Sequence, residues 1–129
     1  MSVVATGSDG RCLRVLVCDG ERRIARLLQV NLERQGCIVT CAFDGRMALE
    51  LLEEADGLNH PLYDRVIIAC RLSYIDGFEL LNWIRGHDQT KNTWVALIVS
   101  RLQDCDEPEH MSVHPDKYLL KPFDPREVM

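Results

Sequence analysis

At 129 residues the chain has room for one domain and not for two of ordinary size. Its 47% apolar and 27% charged residues are the composition of a packed globular protein and exclude a disordered chain. A net charge of −5 leaves no basic field for nucleic acid or an anionic membrane, and no apolar run approaches the ~20 residues that span a bilayer.

The N-terminal "MSVVATGSDGR" lacks the charged start and long apolar stretch of a secretory signal, so residues 1–11 read as a flexible leader. The expected compartment is the cytoplasm. "LRVLVC" (13–18) is too short for a helix and reads as a buried strand. Residues 21–35 change to helical spacing, with Ile24, Leu28 and Leu32 on one face, Leu27 beside them, and Gly36 as the stop. "CIVTCA" (37–42) is a second strand. Asp44 is placed to cap a helix that turns Ala48, Leu51, Leu52 and Ala55 inward and ends near Gly57.

After the loop "GLNHPL", "DRVIIA" (64–69) is the third strand. Asp76 caps a third helix with Phe78, Leu81 and Ile84 along a face, and "WVALIVS" (94–100) is a fourth, wholly apolar strand. In "RLQDCDEPEHMSVHPD" Pro108 suits a first helical turn and Met111 is one of few apolar residues, so a short, weakly anchored fourth helix is expected. "KYLL" is a fifth strand. "DPREVM" then starts a helix, with Asp124 as N-cap, Pro125 at the first helical position and Glu127 completing a capping box. Barely one turn of that helix is written. The expectation is either a fragment of a larger protein or an exposed apolar surface that favours self-association.

Six cysteines, at 12, 18, 37, 41, 70 and 105, form no CxxC pair and no zinc spacing, and read as small hydrophobes in a reducing compartment. His60, His87, His110 and His114 show no convergence on a metal. His110 and His114 share an i, i+4 spacing, but Pro115 and the lack of a third ligand argue against a site.

Strand–helix alternation with strands apolar on both faces implies a parallel sheet covered by helices on both sides, with right-handed crossovers. In an open sheet of this kind the functional site lies beyond the carboxyl ends of the strands. Attention therefore falls on Cys18-Asp19-Gly20-Glu21, Ala69-Cys70-Arg71, Ser100-Arg101 and Leu120-Lys121-Pro122.

At those four places the chain resembles the receiver domain of two-component response regulators, the CheY-like family, over about 13–129. The resemblance rests on "RVLVCDGE", "IDGFELLNWIR", "WVALIVS" and "DKYLLKPFDPREV", of which the last is the most specific. It implies a doubly wound (βα)5 flavodoxin-like α/β sandwich with strand order 2-1-3-4-5 and a truncated last helix, formed by residues 12–129. It also implies the family's chemistry. There a kinase's phosphoryl group passes to an Asp at the end of the third strand, beside Mg²⁺ held by acidic residues after the first. A Ser/Thr and a Lys read the group, and an aromatic on the last strand reports it.

By this resemblance Asp19 matches the first acidic position, Ser100 the hydroxyl, Lys121 the lysine, Tyr118 the switch aromatic, and Pro122 the proline that follows a usually cis peptide bond. Gly20 stands in place of the second acidic residue and Ala69 in place of the phosphoacceptor. An alanine offers no nucleophilic oxygen. Asp19 is the one carboxylate left of the family's metal set, so no metal or other cofactor is expected. Glu21, one residue further along, is expected to point elsewhere. Ser73 lies too far into its loop to stand in for the acceptor, and Asp64 is roughly 16 Å away at the other end of the strand. Cys70 points to the opposite face, although a thiol beside Arg71 and Lys121 has a redox reading.

The expected function is that of a phosphorylation-independent pseudo-receiver, a signalling module and not an enzyme. It would bind a protein partner or a second copy through the fourth helix, fifth strand and fifth helix, with no nucleic acid or membrane partner. The alternatives are phosphorelay through a non-standard acceptor, or a small-anion sensor built from Arg71, Ser100 and Lys121. Lys121, joined by Arg71, is expected to pair with Asp19. Arg71 also reads as a solvated loop side chain and Tyr118 as a half-buried sheet aromatic.

Overall fold

The computed structural model describes residues 12–56, 62–100 and 113–128. Five strands, β1 (Arg14–Cys18), β2 (Ile38–Ala42), β3 (Arg65–Ala69), β4 (Trp94–Val99) and β5 (Lys117–Leu120), form one parallel sheet in the order β2-β1-β3-β4-β5. Among the described residues three helices, α1 (Arg22–Arg34), α2 (Gly45–Asp56) and α3 (Gly77–Arg85), follow β1, β2 and β3, and Pro125–Val128 forms a 3-10 turn after β5. This is the doubly wound arrangement expected from the resemblance. The leader, the fourth helix, His60, Arg101, Cys105 and His110 lie outside the described residues.

The alternation of side chains along each strand divides the interior in two. Val15, Val17, Ile67, Ala96, Ile98 and Leu119 pack with Ala25, Leu28 and Leu32 of α1. Leu16, Cys18, Val66, Ile68, Val95 and Leu97 pack on the other face with Ala48, Leu52 and Ala55 of α2 and Leu80, Leu81 and Ile84 of α3. Each fully buried leucine in these layers contributes about 1.5–3 kcal/mol relative to exposure; β1 and β3 accordingly are apolar and buried along their length after the arginines, Arg14 and Arg65, that open them. One apolar residue departs from the helical reading: Leu27 is 44% exposed, because the buried stripe of α1 runs through Ala25, Leu28 and Leu32.

Helix boundaries follow local chemistry. Gly36 (φ 92°) takes the left-handed conformation that ends α1. Asp44 Oδ1 accepts from Met47 N at 2.7 Å at the start of α2, and Asp76 Oδ1 accepts from Glu79 N at 2.9 Å at the start of α3. Asp76→Ala removes that cap and is expected to cost about 1 kcal/mol in a urea denaturation curve. At the last turn the Glu127 half of the expected capping box is present, while the Asp124 side chain caps the second helical amide and not the third. Asp124 N donates to Glu127 Oε2 at 3.1 Å, while Asp124 Oδ1 accepts from Arg126 N at 2.9 Å.

The cysteines are dispersed. Cys18, Cys37 and Cys70 are buried, Cys41 is half-buried and Cys12 exposed, and none of these five is in a disulfide. Burial pushes the thiols of Cys18, Cys37 and Cys41 up.

Candidate functional site

The strand ends meet at one cavity. Beyond β1, Asp19 N donates to Ala42 O at 3.0 Å, which ties the turn to β2 and leaves Asp19 only 2% exposed. Beyond β3, Cys70 N donates to Ile98 O at 2.8 Å, while Cys70 O accepts from Gly77 N at 2.9 Å and docks the start of α3 on the strand end. Beyond β5, Lys121 N donates to Val99 O at 2.9 Å, which sets the lysine beside the end of β4. The cavity, about 180 Å³, is lined by Asp19, Gly20, Glu21, Ala69, Cys70, Arg71, Ile98, Ser100 and Lys121. Of the seven positions matched by the resemblance together with Arg71, all but Tyr118 and Pro122 therefore line one cavity.

The other two lie apart. Tyr118 is on β5 and 38% exposed. Pro122 follows a cis Lys121–Pro122 peptide bond and faces an apolar groove with Ile24, Leu27 and Phe123, which Lys121 also borders. Asp64 sits at the far end of β3, where its Oδ2 accepts from Arg14 N at 2.8 Å. Ser73 is exposed in the β3–α3 loop, with its carbonyl bonded to Gly45 N at 2.9 Å.

Charge is arranged around Lys121. Its Nζ donates to Glu21 Oε1 at 2.7 Å and stands 3.8 Å from Asp19 Oδ2. The expectation that Lys121 pairs with Asp19 is thus met only as a longer contact, and its tight partner is the residue expected to point away. The parity argument failed for Glu21 because the strand ends at Cys18 and the chain turns. Glu21 precedes α1 with extended backbone (φ −83°, ψ 102°) and its side chain caps nothing, so it reaches across to the end of β5. A carboxylate at a helix N-cap position that is not needed as a cap was the sequence signal available.

Asp19 is less well provided for. Its Oδ1 accepts from Glu21 N at 2.9 Å, but Oδ2 is buried with no hydrogen-bond partner. Burial pushes its carboxyl up from the ordinary aspartate range, against the pull of the Glu21 amide and the Lys121 charge. Desolvation wins because the Lys121 ammonium, 3.8 Å away, is bonded to another carboxylate. Ala69, 5% exposed, presents only a methyl group to the cavity. Among the described residues no group of three His, Cys, Asp or Glu side chains is placed to hold a metal ion.

The model of the response regulator receiver domain matches residues 15–129. The chain belongs to the response regulator receiver domain family. The transcriptional regulatory protein SrrA of Staphylococcus aureus is 30% identical over 115 residues, which cover 89% of this chain and 44% of SrrA. The chain thus spans less than half the length of that curated relative. The receiver domain of the Francisella response regulator 1452 is 31% identical, with a TM-score of 0.68 over 89% of this chain and 88% of that one. The chemotaxis response regulator CheY4 of Vibrio cholerae is 26% identical, with a TM-score of 0.76 over 90% of this chain and 92% of that one. Receiver domains are two-component signalling modules that interact with other proteins such as kinases and effectors, and they typically bind Mg²⁺. No helix among the described residues of this receiver domain is long and apolar enough to cross a membrane.

Proposed function

We propose that this receiver domain signals without being phosphorylated, as a pseudo-receiver that binds a protein partner or a second copy of itself, and that it is not an enzyme. Ala69 carries the reading. It stands at the end of β3, where the family places its acceptor Asp, and a methyl group cannot attack phosphorus. Gly20 stands where the second acidic residue would be.

The residues present do not fit Mg²⁺. An octahedral dication needs carboxylates with oxygen to spare. Here Gly20 and Ala69 supply none, Glu21 is bonded to an ammonium, and the free oxygen of Asp19 faces that same ammonium at 3.8 Å. No cofactor enters the proposed function.

The surface proposed for partners is that of the expected fourth helix, β5 and the expected fifth helix, of which β5 and Pro125–Val128 are among the described residues. Tyr118 and Leu120, alternate residues on one face of the edge strand β5, are 38% and 45% exposed and supply apolar contact area there. A net charge of −5 speaks against nucleic acid or an anionic membrane as partner, and the proposed compartment is the cytoplasm. An anion sensor at the cavity is disfavoured by the Glu21 carboxylate already bonded to Lys121.

Incubation with a small acyl phosphate and Mg²⁺, followed by intact mass measurement, tests the reading. The expected mass is that of the unmodified chain. A stoichiometric phosphoryl adduct would overturn it, and its position would name the non-standard acceptor.

A further inference from the structure

The cavity's charge balance carries a more specific conclusion about how it is held together. Among the described residues its lining includes two carboxylates, Asp19 and Glu21, and two cationic side chains, Arg71 and Lys121, so their charges balance. The lysine side chain is only 19% exposed and the Asp19 side chain 3%, so their 3.8 Å approach is poorly screened by solvent. The 2.7 Å bond to Glu21 fixes the ammonium at the mouth.

We infer that Lys121 is the resident cation of this cavity, positioned by Glu21, and that its ammonium takes the charge-neutralising part that a dication plays in metal-dependent receiver domains. The inference rests on the reading of the cavity as one that no longer accepts phosphate. Glu21 is then a positioning residue whose bond ties the start of α1 to the turn after β5. A dication entering this cavity has to displace an ammonium already bonded to one carboxylate, and it finds no acidic side chain at positions 20 and 69 in return.

Thermal unfolding of the wild type, Lys121→Met and Lys121→Arg, with Mg²⁺ titrated at constant ionic strength and no phosphodonor present, tests this. The wild type is expected to move by less than about 1 °C, while Lys121→Met melts about 5 °C lower and regains at least half of the loss with Mg²⁺. Lys121→Arg, which keeps the charge, is expected to stay within about 2 °C of the wild type. A wild type that Mg²⁺ stabilises, or a Lys121→Met protein blind to Mg²⁺, overturns the inference.

Should Lys121→Met not fold, the ammonium is observed directly in the wild type by ¹H–¹⁵N correlation. The Lys121 signal is expected to persist through Mg²⁺ addition and to vanish into fast exchange in Glu21→Gln. Its displacement by Mg²⁺, or its indifference to Glu21→Gln, refutes the assignment. The two readings fail separately, since an adduct in the mass spectrum strikes the phosphorylation reading, whereas metal-dependent melting without a donor strikes this one.

Discussion

Gly20→Asp combined with Ala69→Asp is expected to convert a chain whose mass a small acyl phosphate leaves unchanged into one that takes a phosphoryl group stoichiometrically in the presence of Mg²⁺. Both positions tolerate the change sterically. A Cβ added at Gly20 meets only Phe43 O at 3.5 Å, an ordinary contact, and Gly20 has none of the left-handed backbone that would strain a side chain. Ala69 faces a cavity of about 180 Å³, into which an added carboxylate can extend.

The electrostatics give the variant its signature. Two added carboxylates join Asp19 and Glu21 opposite Lys121 and Arg71, so repulsion lowers the metal-free melting point. Mg²⁺ then stabilises, by about 2.7 kcal/mol at a hundredfold excess over its Kd. Ala69→Asp alone is expected to show the penalty and a smaller part of the gain. Metal-dependent melting followed by calorimetry, and intact mass after exposure to the phosphodonor, read the two effects independently. A double variant that folds, binds Mg²⁺ and still stays unmodified would show that Ser100 and Lys121 are not aligned for the reaction, and that the loss runs deeper than two side chains.

The sheet was legible because apolar strands, capped helices and glycine stops all pointed to the same alternation. "LRVLVC" and "WVALIVS" could be nothing but buried strands at their length, and Asp44 and Asp76 cap where their spacing said they would. Most of the cavity was legible for a related reason: in a parallel sheet the residues after the strands converge whatever their chemistry, so Asp19, Ala69, Ser100 and Lys121 had to meet. Two details were not. Leu27 fits a 3.6-residue stripe nearly as well as Leu28 does, and only packing against β1 and β3 decides between them. The choice of Lys121 between Asp19 and Glu21 was hidden because it depends on how the chain leaves a strand, where the two-residue alternation no longer holds. A buried carboxylate was the obvious partner by sequence. The exposed one wins because it reaches the ammonium without giving up hydration on its other side, its side chain being 65% exposed.

Gly45→Ala is expected to destabilise the support of the site. Gly45 is buried at the start of α2, its N–H bonded to Ser73 O at 2.9 Å. A Cβ there would overlap the Ile75 carbonyl oxygen and come within 2.7 Å of Ile75 C and 2.8 Å of its Cβ. The obstacle is backbone, not a flexible tip. It cannot yield cheaply, because Tyr74 beside it holds a left-handed φ of 73° under the guanidinium of Arg46, 4.1 Å from the ring centroid. Relief requires the β3–α3 loop to move off α2, and that loop carries Arg71 into the cavity. Overpacking of this kind costs about 3 kcal/mol, against which the better helix propensity of alanine returns at most about 1. The expected net loss of roughly 2 kcal/mol lowers the melting temperature by about 6–8 °C. Gly20→Ala, whose Cβ meets an ordinary contact, is the matched control and is expected to melt within about 2 °C of the wild type. If Gly45→Ala instead matches that control in a denaturant titration, the β3–α3 loop is compliant, and the position of Arg71 at the cavity is set by something other than the loop's packing of Ser73 and Ile75 on Gly45.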